Sequence, residues 1–189
     1  MHPVAEFTLA LKGLSRLLRL DAGGLDCFDR SLAGFWRSFR VAILAAPLYA
    51  AVIPIHLEQI QASAHWARIL FVVVALYLIR WFAFAVIAFE ICQRIDRTKE
   101  YPGYIAVYNW SSLIRYSAQF LAWLPVMAGF DAVAFSGAVN QIVYFAFLVY
   151  LWFLARMAAN VSGPIAAGLV FIDFLISRLL SYTLMMLLK

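Results

Sequence analysis

The chain has little charge. Lys, Arg, Asp and Glu make up 13% of its 189 residues, while 66% are hydrophobic. A soluble domain carries about twice that share of charge. No soluble core of this size hides so much apolar surface, so composition points to an integral membrane protein. Cysteine is scarce too. Cys27 and Cys92 stand in neither a Cys-x-x-Cys nor a Cys-x-x-x-His pattern and form no disulfide framework, which leaves two inert thiols. There is no P-loop and no dinucleotide fingerprint. The serines of "GLSRL" and "FSGAV" lack the G-x-S-x-G context and a partnered histidine. His56, Glu58 and His65 share one connector, but their spacing matches no standard zinc geometry and reads as a solvated loop. The expectation is therefore no enzyme, no cofactor and no metal. Nor does the net charge of +5 imply nucleic acid, because the basic residues fall between and beside apolar runs instead of forming a patch.

What is present is a series of long apolar segments. The spacing predicts an all-α, polytopic membrane bundle of five transmembrane helices at about 35–57, 66–92, 104–127, 132–155 and 162–188. Together these form one transmembrane domain, 31–189, preceded by a cytoplasmic N-terminal helix and connector over 1–30. Pro47 and Pro54 predict a kink in the first span. At the fifth, "NVSGP" offers Asn160 or Ser162 as a helix cap and Pro164 for the first turn.

Loop charges predict the orientation. Lys12, Arg16, Arg19, Arg30, Arg37 and Arg40 precede the first apolar core. Arg94, Arg97 and Lys99 follow the second span, and Arg156 the fourth. The loop after the first span holds only Arg68, at its far edge, and "AGFDA" after the third holds no basic residue. The alternation places the N-terminus in the cytoplasm and the C-terminus outside. Small size, short loops and the lack of an organelle signal point to a bacterial inner membrane, with the C-terminus in the periplasm. Five spans do not divide into two equal inverted halves, which argues against an inverted-repeat transporter monomer.

The N-terminal segment "VAEFTLALKGLSRLLRL" has no clean signal-peptide core. Its spacing is helical, with Phe7, Leu11, Leu14 and Leu18 on one face and Lys12, Arg16 and Arg19 elsewhere. Two readings follow: an amphipathic interfacial helix on the anionic membrane surface, bound through Lys12, Arg16 and Arg19, or a helix packed on the bundle.

Three charges break the apolar runs. In "FVVVALYLIRWFAFAVIAF" the tenth residue is Arg80; Arg115 sits in the third span and Asp173 in the fifth. At 1.5 Å per residue each lies about 14–17 Å from its own edge, so in a core of about 30 Å all three share the midplane. A charge there costs about 2.5–3.5 kcal/mol on insertion scales. Asp173, the only acid at that depth, is expected to pair with Arg115, Arg80 or both. Arg115 has the better supporting face: Ser111, Ser112 and Gln119 on its own helix, Asn140 and Tyr144 on the fourth span, Ser177 on the fifth. Arg80 is flanked by Leu76, Tyr77, Ala83 and Phe84 and has the least local support. Arg178 points to another side and can snorkel outward. Two arginines against one aspartate leave a surplus positive charge, which serves either as part of a buried ionic clamp or as a site for an anion.

The segments "YPGYIAVYNWSSLIRYSAQFLAWLP" and "ARMAANVSGPIAAGLVFIDFLIS", with a cytoplasmic N-terminal region and five closely spaced spans, resemble the third- and fifth-span regions of the Yip1-like family of small membrane proteins. The D-L-Y-G-P-type motif of its eukaryotic members is absent. The resemblance implies a non-enzymatic protein that scaffolds or organises the membrane through protein or lipid partners, and it carries no site residues across. The competing function is a small transporter or permease component that uses the Arg80, Arg115 and Asp173 layer for an anionic or proton-coupled substrate. The partners implied are the lipid bilayer, an anionic lipid or anionic small molecule, and a membrane-protein partner or second copy of the chain. A polar cavity reaching Arg115 favours transport; a dry midplane favours the scaffold.

Overall fold

A computed structural model describes residues 3–189 and is helical throughout, with no strand among the described residues. A short N-terminal unit comes first: α1 (Pro3–Leu17), a 3-10 segment (Ala22–Cys27) and α2 (Leu32–Ser38). Long helices follow: α3 (Val41–Gln59), α4 (Trp66–Arg94), α5 (Tyr101–Met127), α6 (Val133–Ala158) and α7 (Gly163–Leu188). Four segments are long and apolar enough to cross a membrane: Leu32–Gln59, Trp66–Arg94, Val133–Ala158 and Gly163–Leu188. The first is α2 and α3 joined at Phe39 and Arg40, so the expected single helix over 35–57 begins as two. α3 continues through both Pro47 and Pro54.

α5 is not among the four, although it has 27 residues. Its sequence is diluted by Asn109, Ser111, Ser112, Arg115 and Gln119. The reason is its position. α5 runs through the middle of the bundle, against α2, α3, α4 and α6, and every residue from Gly103 to Ser112 is buried. A helix sheathed by other helices touches little lipid and can carry polar groups that satisfy one another. α7 closes the arrangement against α4 and α6.

Local signals explain the ends. α5 begins at Tyr101, three residues before the expected start, because Pro102 fits the first turn. Ser162 stands in extended conformation before α7, with Pro164 in the first turn, and Asn160 instead takes a left-handed conformation (φ 51°) just after α6. His65 accepts a hydrogen bond at Nδ1 from the Ala67 N–H at 3.3 Å, so this histidine caps α4. At the C-terminal end the N–H groups of Ser63 and Ala64 donate to the Leu188 carbonyl at 3.0 and 3.2 Å, tying the α3–α4 connector to the end of α7.

The N-terminal helix packs on the bundle. Ala10, Gly13, Leu14 and Leu17 turn inward against the 3-10 segment, and the Phe7 ring lies 6.1 Å from that of Trp110 on α5. Leu14 therefore leaves the expected lipid-facing set. The exposed apolar stripe is Val4, Phe7, Leu11 and Leu18, with Lys12 and Arg19 exposed beside it. Arg16 is committed to Asp21 at 2.7 Å, not free on the surface as expected. The close approach needs glycine: a Cβ on Gly24 would come within 2.6 Å of the Gly13 carbonyl oxygen and 2.8 Å of Leu17 Cγ.

Arg37 staples this unit together. Its guanidinium binds Glu6 of α1 at 3.2 Å and also the Asp29 carboxylate. Hydrogen bonds from Ser31, then Arg37, hold the Asp29 carboxyl below the usual carboxylate range. A carboxyl depressed in the folded state contributes stability that is present above its unfolded pKa of about 3.9 and is lost as pH falls through the lower folded value. Hydrogen exchange in α1, taken relative to the intrinsic rate at each pH, is thus expected to accelerate below about pH 4. In Asp29→Asn, exchange should be faster at neutral pH, and the acid-dependent rise should shrink. A flat wild-type profile down to pH 3 would show that the staple does not hold α1.

Candidate functional site

Of the three charges expected to share one layer, Arg80 and Asp173 pair, the combination the sequence did not favour. Arg80 is the central residue of α4. Its Nη2 donates to Asp173 Oδ1 on α7 at 2.7 Å and contacts the Tyr108 hydroxyl of α5 at 2.9 Å. Tyr108 in turn donates to the same carboxylate oxygen. Both ion-pair side chains are nearly sealed, at 10% and 4% exposure. Three helices therefore meet at one carboxylate. Support for Arg80 comes from across the bundle, since its own helical neighbours are apolar.

Arg115 is not in that pair. Its guanidinium lies over the rings of Tyr116 (4.9 Å) and Phe147 (5.8 Å), and no carboxylate among the described residues lies within ion-pair distance. Cation–π contact offsets part of its desolvation but does not neutralise its charge. The surplus positive charge is thus localised on Arg115.

Arg115 faces a cavity of about 190 Å³, which Arg80 also lines. Gln119, Asn140, Tyr144 and Ser177, all members of the expected polar face, line it as well, and so does Ser181. Every lining residue of α4, α5, α6 and α7 lies at the charge layer or toward the end of the bundle that carries the 60–65 connector and the C-terminus. The cavity therefore runs from the charge layer toward that end. Two expected members lie elsewhere. The Ser111 hydroxyl meets the Tyr150 hydroxyl at 3.2 Å, and Ser112 donates to the Tyr108 carbonyl at 3.3 Å, so both serve α5 packing. The polar stripe facing the cavity is narrower than the helical spacing predicts, because α6 covers the Ser111 side of α5.

Sequence reasoning missed the aromatic wall. Tyr49, Tyr77 and Tyr116, from α3, α4 and α5, line the cavity with ring centroids 4.8 to 6.2 Å apart. The Tyr77 hydroxyl donates to the Ala42 carbonyl at 2.6 Å, fixing α4 on α3. Tyr77 lies three residues before Arg80 on one helix face, which was a usable signal; Tyr49 carried none. The Tyr144 hydroxyl is buried without a hydrogen-bond partner in the protein. Arg178 is exposed, lies 5.0 Å over the Tyr144 ring and is not among the residues lining the cavity.

Comparison with protein-family models, curated proteins and solved structures gave no match. The functional reading therefore rests on the site itself.

Proposed function

We propose that the protein is a five-span integral membrane protein that binds a small anionic group inside the bilayer, as a small transporter or permease component would. The four apolar segments supply four spans, and α5 is the fifth, made polar by its central position. The single observation that carries the binding reading is an uncompensated Arg115 lining a polar cavity beside a neutralised Arg80–Asp173 pair. An arginine without a counter-ion at the midplane is costly unless water or a ligand meets it. The cavity is smaller than the roughly 300–1,000 Å³ of drug-sized sites, which suits a small anion or a head group.

The test is ligand-dependent stability in detergent. Dimethyl phosphate, titrated into the full chain, is expected to raise Tm, since a ligand that binds only the folded state stabilises it by mass action. Arg115→Gln is expected to abolish the rise. An equal rise in both proteins would place the effect elsewhere, and no rise in either would leave the Yip1-like scaffold as the better reading.

The loop charges support N-terminus inside and C-terminus outside. Single-cysteine labelling in a Cys27→Ser, Cys92→Ser background is expected to find positions 96–100 cytoplasmic and 129–131 external. The opposite pattern would invert the protein and put the cavity mouth on the cytoplasmic side. The exposed stripe of Val4, Leu11 and Leu18 beside Lys12 and Arg19 supports a second role for α1, contact with an anionic lipid surface while its other face stays docked.

A further inference from the structure

The charges around the cavity specify more than its sign. Among the residues that line the cavity or pair with one that does, Arg80 and Arg115 contribute two positive charges and Asp173 one negative, a net charge of +1; Arg178 stacks on Tyr144 but is exposed and does not line the cavity. Resting on the anion-site reading above, we infer that the occupant is a singly charged oxyanion, of the phosphodiester or carboxylate class, and that the site discriminates against dianions.

The argument is electrostatic. In a low-dielectric layer the cost of uncompensated charge grows steeply and does not depend on its sign. A monoanion brings the layer to neutrality. A dianion converts +1 to −1 and leaves as much uncompensated charge as the empty site. The acid is also fixed in place. Asp173 is tied to Arg80 at 2.7 Å and to Tyr108, and that same Arg80 lines the cavity, so the Arg80 charge a ligand meets is already matched by a held carboxylate behind it and does not serve a second negative charge on the ligand.

The remaining lining is neutral. Gln119, Asn140, Ser177 and Ser181 supply hydrogen bonds without adding charge. The Tyr144 hydroxyl, buried and unpartnered, is a further donor whose desolvation an oxyanion would offset. Arg115 is the one fork with no carboxylate already on it, and it offers a planar, bidentate face to two ligand oxygens. Several neutral donors around one guanidinium suit a group with spread charge and two or more acceptor oxygens.

The experiment compares two ligands that differ by one methyl group and one charge. At pH 8 dimethyl phosphate carries one negative charge, while methyl phosphate carries two, its second pKa being about 6. Titration calorimetry on the detergent-solubilised full chain is expected to show the diester binding about tenfold tighter. Adding a positive charge to the layer should reverse the order. Asp173→Asn does so by removing the acid, and Gln119→Arg does so with the Arg80–Asp173 pair intact, in case the first variant does not fold; arginine keeps its charge at pH 8. Arg80→Gln with Asp173→Asn returns the layer to +1 and should restore the preference for the diester. Methyl phosphate binding as tightly as the diester in the wild type would overturn the inference, and so would an unchanged preference in Gln119→Arg. Binding of either ligand that survives Arg115→Gln, or no binding at all, would overturn the underlying site instead.

A phosphodiester can come from a free solute or from a lipid head group. Competition by micellar phosphatidylglycerol against dimethyl phosphate identifies the head group as the source, and its failure to compete identifies a solute; both carry the single charge inferred.

Discussion

Asp173→Asn is expected to destabilise the protein by about 3–5 kcal/mol, and Arg80→Gln by a similar amount, because each leaves one buried charge without its partner. The two together should cost far less than their sum. The coupling belongs to the pair that links α4 to α7, with Tyr108 of α5 as the third member. A double-mutant cycle on thermal or denaturant stability in detergent reads it directly. Geometry adds a control that composition alone would not. Arg115→Gln shares the depth of the pair but not the hydrogen bonds, so it should not rescue Asp173→Asn. Simple additivity for Arg80 and Asp173 would show that the ion pair does not form. Rescue by Arg115→Gln would show that Asp173 serves Arg115 after all.

The second large effect runs the other way. Arg115→Met removes an uncompensated charge and keeps a long, flexible side chain against Tyr116 and Phe147. The apo protein is expected to gain about 1–3 kcal/mol, below the full insertion cost of a central arginine because the cavity leaves room for water beside the guanidinium. The same variant should lose the anion-dependent rise in Tm altogether. Gain of stability with loss of binding is the signature of a residue kept for function at the expense of the fold. Destabilisation by Arg115→Met would mean that its cation–π contacts hold α5 to α6, and that the residue is structural.

Much of this was legible in the sequence, for a simple reason. Depth along a helix follows from counting residues, so "FVVVALYLIRWFAFAVIAF" already placed Arg80 at the middle of a long apolar helix, level with Arg115 and Asp173. The ends of α4, α6 and α7 lie within three residues of those expected, because hydropathy and capping chemistry are local. The sequence reads five apolar spans for the same reason, and four of the helices carry the full apolar signal. Only α5 falls short of that signal, and its polarity reflects its neighbours, not its own length.

What the sequence could not decide is rotation and neighbour order. Asp173 pairs with Arg80 because α7 packs against both α4 and α6, whereas α5 reaches the carboxylate through Tyr108, about two turns before Arg115. Supporting residues on the same helix, the basis for favouring Arg115, say nothing about which face a third helix will cover. α6 covers the Ser111 side of α5 and leaves the Arg115 and Gln119 side open to the cavity. At the N-terminus the periodicity that marked an apolar face could not tell lipid from protein. Gly13 against Gly24 and the Arg37 staple settle α1 onto the bundle, so Leu14 turns inward and the outer stripe shifts to Val4, Leu11 and Leu18. Periodicity and composition therefore determined the class of the protein, its helices and the depth of its charges. Only the tertiary structure decided which charge is neutralised and which is left facing a cavity, because pairing at the midplane depends on the packing of helices distant in sequence.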